Sequence, residues 1–202
     1  MEENYYERGM ELLSGNNPEG AVSCFEKELE INPADWRVYF SLGMANQNLR
    51  KWEEAVNYFE KAVDLKKDLA IAHLQLGIIS MIQKDHGRAD NEKALAMEME
   101  PQSREEFSLI WDISITQEEL NEDPYSVIAR IKMSELLLAR QRSHEAFVYL
   151  LEAYMLEPGI EWLKKLLEGM DVDTEKLLEQ RGEFMDSLKN SLIKKDDENN
   201  II

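Results

Sequence analysis

The chain has 202 residues, a single cysteine and a formal net charge of -18 at pH 7. One cysteine excludes an intramolecular disulfide and a cysteine-based zinc cage, and this acidity disfavours binding to nucleic acid or to an anionic membrane surface. Met1-Glu2-Glu3 lacks the segments of a secretory signal, and the longest apolar stretch, 76–82, is too short to span a bilayer, so we predict a cytoplasmic protein.

The first half of the chain repeats with a period of 34 residues, in the segments 4–33, 38–67 and 72–101. Small residues recur at two fixed places in each segment. We expect the first of them in the middle of one helix and the second one turn into the next helix, where both let the two helices approach closely. They are Gly9, Gly43 and Gly77, and Ala21, Ala55 and Ala89; Phe25 and Phe59, Ala62 and Ala96, and Pro33 and Pro101 also coincide.

This pattern resembles the tetratricopeptide-repeat (TPR) family, whose 34-residue repeat is a helix–turn–helix. The resemblance covers residues 2–103 as three repeats. Leu42 and Leu76 precede their glycines as in the family, whereas Arg8 departs from that pattern. The resemblance implies an all-α fold, a right-handed α-solenoid of TPR repeats over 1–103.

Proline and polar residues mark where several helices are predicted to begin. An asparagine or aspartate followed by proline is typical of a helix cap and first helical residue. A serine followed three residues later by glutamate forms a capping box, which predicts a helix start at 103–106. The cap–proline pairs are Asn17-Pro18, Asn32-Pro33 and Asp123-Pro124.

Residues 104–126 fall out of the repeat. Trp111 stands where a glycine belongs, so this segment cannot pack as a standard first helix. We predict an extra helix at 104–121 that interrupts the solenoid; an alternative pairs 104–121 with 124–141 as one distorted repeat.

The last third of the chain is predicted to close the array. Residues 127–160 are expected to form a degenerate repeat with Ser134 at the glycine place, since Ala146, Ala153 and Pro158 keep the spacing of the earlier alanines and proline. Residues 161–195 are predicted to form a capping pair, a short helix followed by a longer one from about Thr174. An acidic tail, 196–202, follows.

The resemblance also implies where a partner would bind, because first helices line a concave groove in this family. By analogy, the groove positions are three residues before and one after each glycine, with polar residues at the edges. The apolar positions are Tyr6, Phe40 and Leu74, and Met10, Met44 and Ile78; the edges include Glu7, Arg37 and Gln75.

An apolar stripe of this kind should not stay bare in water. Three explanations remain open: a partner's apolar or basic peptide or helix docks there, the stripe is filled by this chain's own helices or a second copy, or these positions are ordinary core. The charge pattern bears on the first explanation, because residues 1–35 carry nine acidic and two basic side chains, a net charge of -7.

The residues that could carry chemistry do not form a recognisable catalytic pattern. His73, His86 and His144 have no metal-ligand spacing, and Cys24 lies among apolar neighbours, which favours an inert thiol. The cationic clamp that some TPR proteins use for acidic chaperone tails is absent. We therefore predict a non-enzymatic scaffold or adaptor without cofactor or metal; the alternative is a self-associating assembly protein.

Overall fold

The computed structural model describes the backbone of residues 4–199 and the side chains of residues 4–190. This part of the chain is α-helical and contains no strand. Its helices are α1 Tyr5–Ser14, α2 Pro18–Ile31, α3 Trp36–Asn48, α4 Trp52–Leu65, α5 Ala70–Ile82, α6 His86–Met99, α7 Arg104–Glu122, α8 Val127–Ala139, α9 Ser143–Leu156, α10 Glu161–Gly169, α11 Thr174–Glu179 and α12 Arg181–Asn199, with a 3-10 turn at Pro101–Ser103.

The chain divides into two compact units, Met1–Trp111 and Asp112–Ile202, with the boundary inside α7. In the first unit, α1 packs on α2, α3 on α4 and α5 on α6, and the second helix of each of the first two pairs also packs on the first helix of the next pair. This is the arrangement that the 34-residue period predicts. None of the described helices is both long enough and apolar enough to cross a membrane.

In each of the first two repeats, a phenylalanine ring leaves no room for a side chain at the glycine of the facing helix. A Cβ added at Gly9 would lie 2.5 Å from Cε1 of Phe25, and one added at Gly43 would lie 2.6 Å from Cδ1 of Phe59. Both phenylalanines have no exposed surface. The glycine therefore recurs because the ring of the second helix rests directly on the backbone of the first.

The third repeat makes the same contact with a ring from another helix. Lys93 stands where Phe25 and Phe59 stand in their repeats. Instead, Cζ3 of Trp111, on α7, would lie 3.0 Å from a Cβ at Gly77, and the Lys93 Nζ lies 4.3 Å from the centre of the Trp111 ring. The tryptophan that broke the repeat pattern thus supplies the aromatic contact that the third repeat lacks.

The turns between paired helices all contain one residue in the left-handed region, with φ between 57° and 65°. In each turn the following backbone N–H donates to a carbonyl near the end of the preceding helix, as from Asn17 to Leu12 at 2.8 Å. In the second unit this turn occurs between α8 and α9 and between α10 and α11. The left-handed residues are Asn16, Arg50, Lys84, Gln141 and Asp171.

Helix caps agree with the sequence at some places and not at others. Asn17 caps α2 as predicted, accepting from the Gly20 N–H at 3.0 Å. The predicted start at Asn32-Pro33 is wrong, because Asn32 ends α2 and Asp35 caps α3 by accepting from the Arg37 N–H at 2.9 Å.

The two later predicted starts have different outcomes. The helix predicted after the capping box begins at Arg104. The Asp123-Pro124 cap is wrong: Ser126 caps α8 and accepts from the Ala129 N–H at 3.2 Å, whereas the Asp123 carboxylate accepts from the Tyr125 N–H inside the turn.

In the second unit, α8 and α9 pack against each other around Met133 and Ala146. This pairing is what a degenerate repeat at 127–160 would form, and its assignment to the family stays a prediction. The longer helix predicted from Thr174 is divided into α11 and α12, where the Arg181 guanidinium donates to the Met155 carbonyl at 2.7 Å. Helix α12 reaches Asn199, and residues 200–202 of the predicted tail lie outside the described residues.

Candidate partner-binding surface

The first two repeats present an accessible apolar surface on their first helices, which we name the first-helix face. It consists of Tyr6 and Met10 on α1 and Phe40 and Met44 on α3, with Arg37 at its edge. Met10 is 41% exposed and the other three apolar residues are half-buried. The structure therefore brings together five of the eight residues that were predicted to line a groove.

Each aromatic residue of this face is held from behind by the core. The Tyr6 ring lies 5.9 Å from the Phe25 ring, and the Phe40 ring lies 5.4 Å from the Phe59 ring, both in tilted contact. Between the two repeats, the Met10 Sδ lies 3.5 Å from the Ser41 Oγ. These contacts hold both rings against the core, and both side chains remain partly exposed.

The three groove residues predicted on the third repeat lie inside the protein. Leu74 and Ile78 have no exposed surface, and Gln75 is 6% exposed, with its Oε1 buried and without a hydrogen-bond partner. On α5 these three residues are therefore not part of an accessible surface. Apolar residues at helical spacing produce the same pattern whether they face a groove or the core.

A cleft of about 970 Å³ adjoins the first-helix face, and the sequence analysis did not identify it. It lies between the start of α1, the end of α2 and the start of α3. The negative charge of residues 1–35 was the available signal, but the sequence does not show which carboxylates converge. The cleft is lined by Asn4, Tyr6, Glu7, Glu28, Ile31, Asn32, Pro33, Ala34, Asp35, Trp36 and Arg37.

The basic residue among those lining this cleft, Arg37, is paired within the chain. The Arg37 Nε donates to both carboxylate oxygens of Asp35, at 3.0 and 3.1 Å, and its Nη2 donates to Oδ2 at 2.6 Å. This hydrogen-bonded pair lowers the pKa of Asp35 and raises the pKa of Arg37. The guanidinium carbon also lies 5.7 Å from the centre of the Tyr6 ring, which ties the cleft to the first-helix face.

The second unit contains a smaller cleft of about 370 Å³ beside a partly buried ion pair. Arg130, 5% exposed, donates to Glu152 at 3.1 Å and to the Pro124 carbonyl at 2.6 Å. Burial raises the pKa of the neighbouring Tyr149. Since Arg130 is fully engaged, we interpret this cluster as structural.

The remaining candidate residues are not brought together. His73 is paired with Glu92 at 2.7 Å, His86 is exposed, and Cys24 is half-buried. Among the residues that the structure describes, no group of three or more histidine, cysteine or acidic side chains is placed to hold a metal ion.

Comparison with known proteins identifies the repeats. Two family models described as tetratricopeptide repeat match residues 2–35 and 36–69. The peroxisomal targeting signal receptor of Kluyveromyces lactis is 37% identical over 60 residues, which is 30% of this chain and 11% of the receptor. The uncharacterized protein MJ0572 of Methanocaldococcus jannaschii is 31% identical over 67 residues, 33% of this chain and 78% of that protein. The BBSome complex member BBS4 of Xenopus tropicalis is 28% identical over 58 residues, 29% of this chain and 11% of that protein.

Thus the chain matches only about a tenth of the length of BBS4 and of the peroxisomal receptor. Among solved structures, YrrB, a TPR protein with an unusual peptide-binding site, aligns with a TM-score of 0.48 at 18% identity over 81% of this chain and 90% of that chain. TTC0263, a thermophilic TPR protein of Thermus thermophilus, aligns with a TM-score of 0.49 at 17% identity over 82% of this chain and 96% of that chain.

The matched repeats and the packed helix pairs confirm the predicted fold class, an all-α solenoid of TPR repeats. Such repeats form protein-interaction modules, and the chain belongs to the tetratricopeptide-repeat family.

Proposed function

We propose that the chain is a non-enzymatic scaffold or adaptor, which binds an apolar helix or extended segment of a partner protein on the first-helix face. The observation that carries this proposal is that exposed Met10 and half-buried Tyr6, Phe40 and Met44 lie together on two neighbouring first helices. A contiguous apolar surface on a protein marks an interaction site more often than an isolated exposed residue does.

The packing of this face suits binding. Tyr6 and Phe40 are held by Phe25 and Phe59, so little side-chain freedom is lost when a partner covers them. Met10 and Met44 add flexible, polarizable side chains that adapt to the shape of an incoming apolar residue. Rigid rings with adaptable neighbours favour a segment that inserts a few apolar side chains, as a helix does in a groove.

The test is a selection of fragments displayed from the native proteome, followed by calorimetry with the strongest binder. Met10→Glu should weaken that binder about tenfold or more, because it places a charge in the apolar contact. Leu65→Glu is the matched control, since Leu65 is 46% exposed, close to the 41% of Met10, but lies on a second helix. Equal affinity of wild type and Met10→Glu would contradict the proposal.

Self-association remains a second candidate, for which the second unit gives a specific observation. Trp111 is 6% exposed and covers Gly77, so it is not available for contact with a second copy. On α10, however, Trp162 is 52% exposed and Leu166 43%, with Met170 after them at 49%, spaced so that they share one side. Light scattering should show a dimer that Trp162→Glu dissociates; a monomer at high concentration would exclude this candidate.

A further inference from the structure

We propose that the cleft beside the first-helix face receives a lysine or arginine side chain of the bound segment, so that the partner segment is basic as well as apolar. This inference rests on the proposed function, because the segment on the face is what carries the basic residue. The cleft and the face are continuous through Tyr6, which lines the cleft and belongs to the face.

The charges in the cleft are the first argument. Glu7 and Glu28 line it from two different helices, and in the described part of the chain neither forms an ion pair. Arg37 cannot neutralise them fully, because its guanidinium is bound through three hydrogen bonds to Asp35. The cleft therefore keeps a negative charge that a partner's cation can balance.

Three helix ends border the cleft, and their partial charges oppose one another. Helix α2 ends at Ile31 beside the cleft, and its last turn contains no basic residue. The carbonyl end of α2, beside Glu28, carries a partial negative charge, whereas the N-terminal ends of α1 and α3 carry partial positive charges, so the negative charge of the cleft comes from its side chains Glu7 and Glu28. Asn32 donates one hydrogen bond to Glu28, at 2.6 Å, so the carboxylate is held in position at this helix end.

The walls of the cleft suit the rest of a long basic side chain. Ile31 is 61% exposed and is the open apolar wall, whereas Tyr6 and Trp36 are half-buried and each already holds a cation of this chain, Arg37 at 5.7 Å and Lys66 at 4.4 Å from the ring centre. Lysine and arginine pack their methylene stems on apolar surface while the charged group stays at a polar rim. Apolar walls with carboxylates are therefore complementary to these two side chains.

The net charge of the whole chain indicates which kind of partner would occupy the cleft. With a formal net charge of -18 on each chain, two copies repel each other, whereas a basic segment of another protein is attracted. The asymmetry is local as well, because residues 1–35 carry a net charge of -7 whereas residues 36–69 carry five acidic and six basic side chains. The inferred occupant is thus a basic, amphipathic segment of a different protein.

The experiment uses the full chain and random peptides about four helical turns long, displayed on phage. The strongest selected peptide is synthesised in its original form and with each lysine or arginine replaced by norleucine. Affinities of both forms are measured for wild type, for Glu7→Gln/Glu28→Gln and for the control Glu11→Gln/Glu26→Gln. Each double variant removes two charges, one from α1 and one from α2, but Glu11 and Glu26 do not line the cleft.

We expect selected peptides to contain basic residues and the cleft variant to weaken the original peptide about tenfold, with the control within about twofold. The norleucine peptide should bind both variants equally. Equal weakening by both variants would overturn the proposal, since only net charge would then matter. A dimer that forms at low salt and is lost in the cleft variant would also overturn it, because the occupant would be a second copy.

The same experiment distinguishes failure of the cleft inference from failure of the proposed function. If selected peptides lose affinity on Met10→Glu but show no basic preference, the first-helix face stands and the cleft inference is wrong. If no selected peptide is sensitive to Met10→Glu, the first-helix face itself is not the binding site.

Discussion

Replacing Trp111 by alanine should lower the free energy of unfolding by about 3–5 kcal/mol. The side chain is 6% exposed and its ring lies against Gly77 and under the Lys93 ammonium. A buried tryptophan ring removes roughly 150–250 Å² from water, which at about 25 cal/mol per Å² corresponds to about 4–6 kcal/mol as an upper value. The cation contact contributes a further amount of roughly 0.5–1 kcal/mol.

A second substitution tests the reason for this loss. Lys93→Phe restores the residue type that Phe25 and Phe59 have in their repeats. In the Trp111→Ala background the new ring can occupy the vacated space over Gly77 and should recover about 1.5–3 kcal/mol. In the wild-type background the space is already filled, so the same change should destabilise the protein by about 1–3 kcal/mol.

Urea unfolding followed by circular dichroism measures both effects in one double-mutant cycle. The control is Trp162→Ala, which removes a tryptophan that is 52% exposed and should cost much less. An equal effect of Lys93→Phe in both backgrounds would refute the reasoning, because the two side chains would then not compete for one space.

Three smaller perturbations test the repeat geometry. Gly43→Ala should destabilise the protein by about 1–3 kcal/mol in thermal unfolding despite its better helix propensity, because the added Cβ would lie 2.6 Å from Phe59; an unchanged melting temperature would contradict this. Lys84→Gly should stabilise it by about 0.5–1 kcal/mol in urea, since Lys84 has φ 65°, and a loss of stability would show that the turn tolerates lysine without strain. Arg37 lowers the pKa of Asp35. The Asp35 carboxylate therefore stabilises the fold above its unfolded pKa of about 3.9, and this stabilisation is lost as pH falls through the lower folded pKa. The difference in unfolding free energy between wild type and Asp35→Asn should thus be constant near neutral pH and shrink only below about pH 4.

The helix pairs were predictable because the residues in contact within each pair lie at a short, fixed separation in the sequence. Gly9 and Gly43 each meet a phenylalanine 16 residues later, at the same distance along the chain in both repeats. A contact of fixed separation leaves a periodic pattern that can be read directly. The Asn32-Pro33 start failed for a local reason too, because Asp35 follows three residues after Asn32 and caps α3 instead.

The accessible part of the predicted groove could not be derived in the same way. Leu74 and Phe40 occupy equivalent positions and are both apolar, yet Leu74 has no exposed surface and Phe40 is half-buried. Burial depends on what covers a helix from outside its own repeat, and periodicity carries no information on this. The cleft was missed for a related reason, because Glu7 and Glu28 converge only after α1 and α2 have packed.

The break in the repeat pattern limits the size of the surface on which a partner can bind. Helix α5 is buried over most of its length, including Leu74, Ile78 and Ile79, whereas α1 buries only Gly9 fully. The first-helix face therefore extends over two helices, α1 and α3, each about 10 Å in diameter with its side chains. A face roughly 20 Å wide contacts about 13 residues of a helix or about six residues of an extended strand, since these rise about 1.5 and 3.3 Å per residue. We therefore expect the proposed partner segment to be short, because a longer segment would pass beyond α3 without further apolar contact on α5.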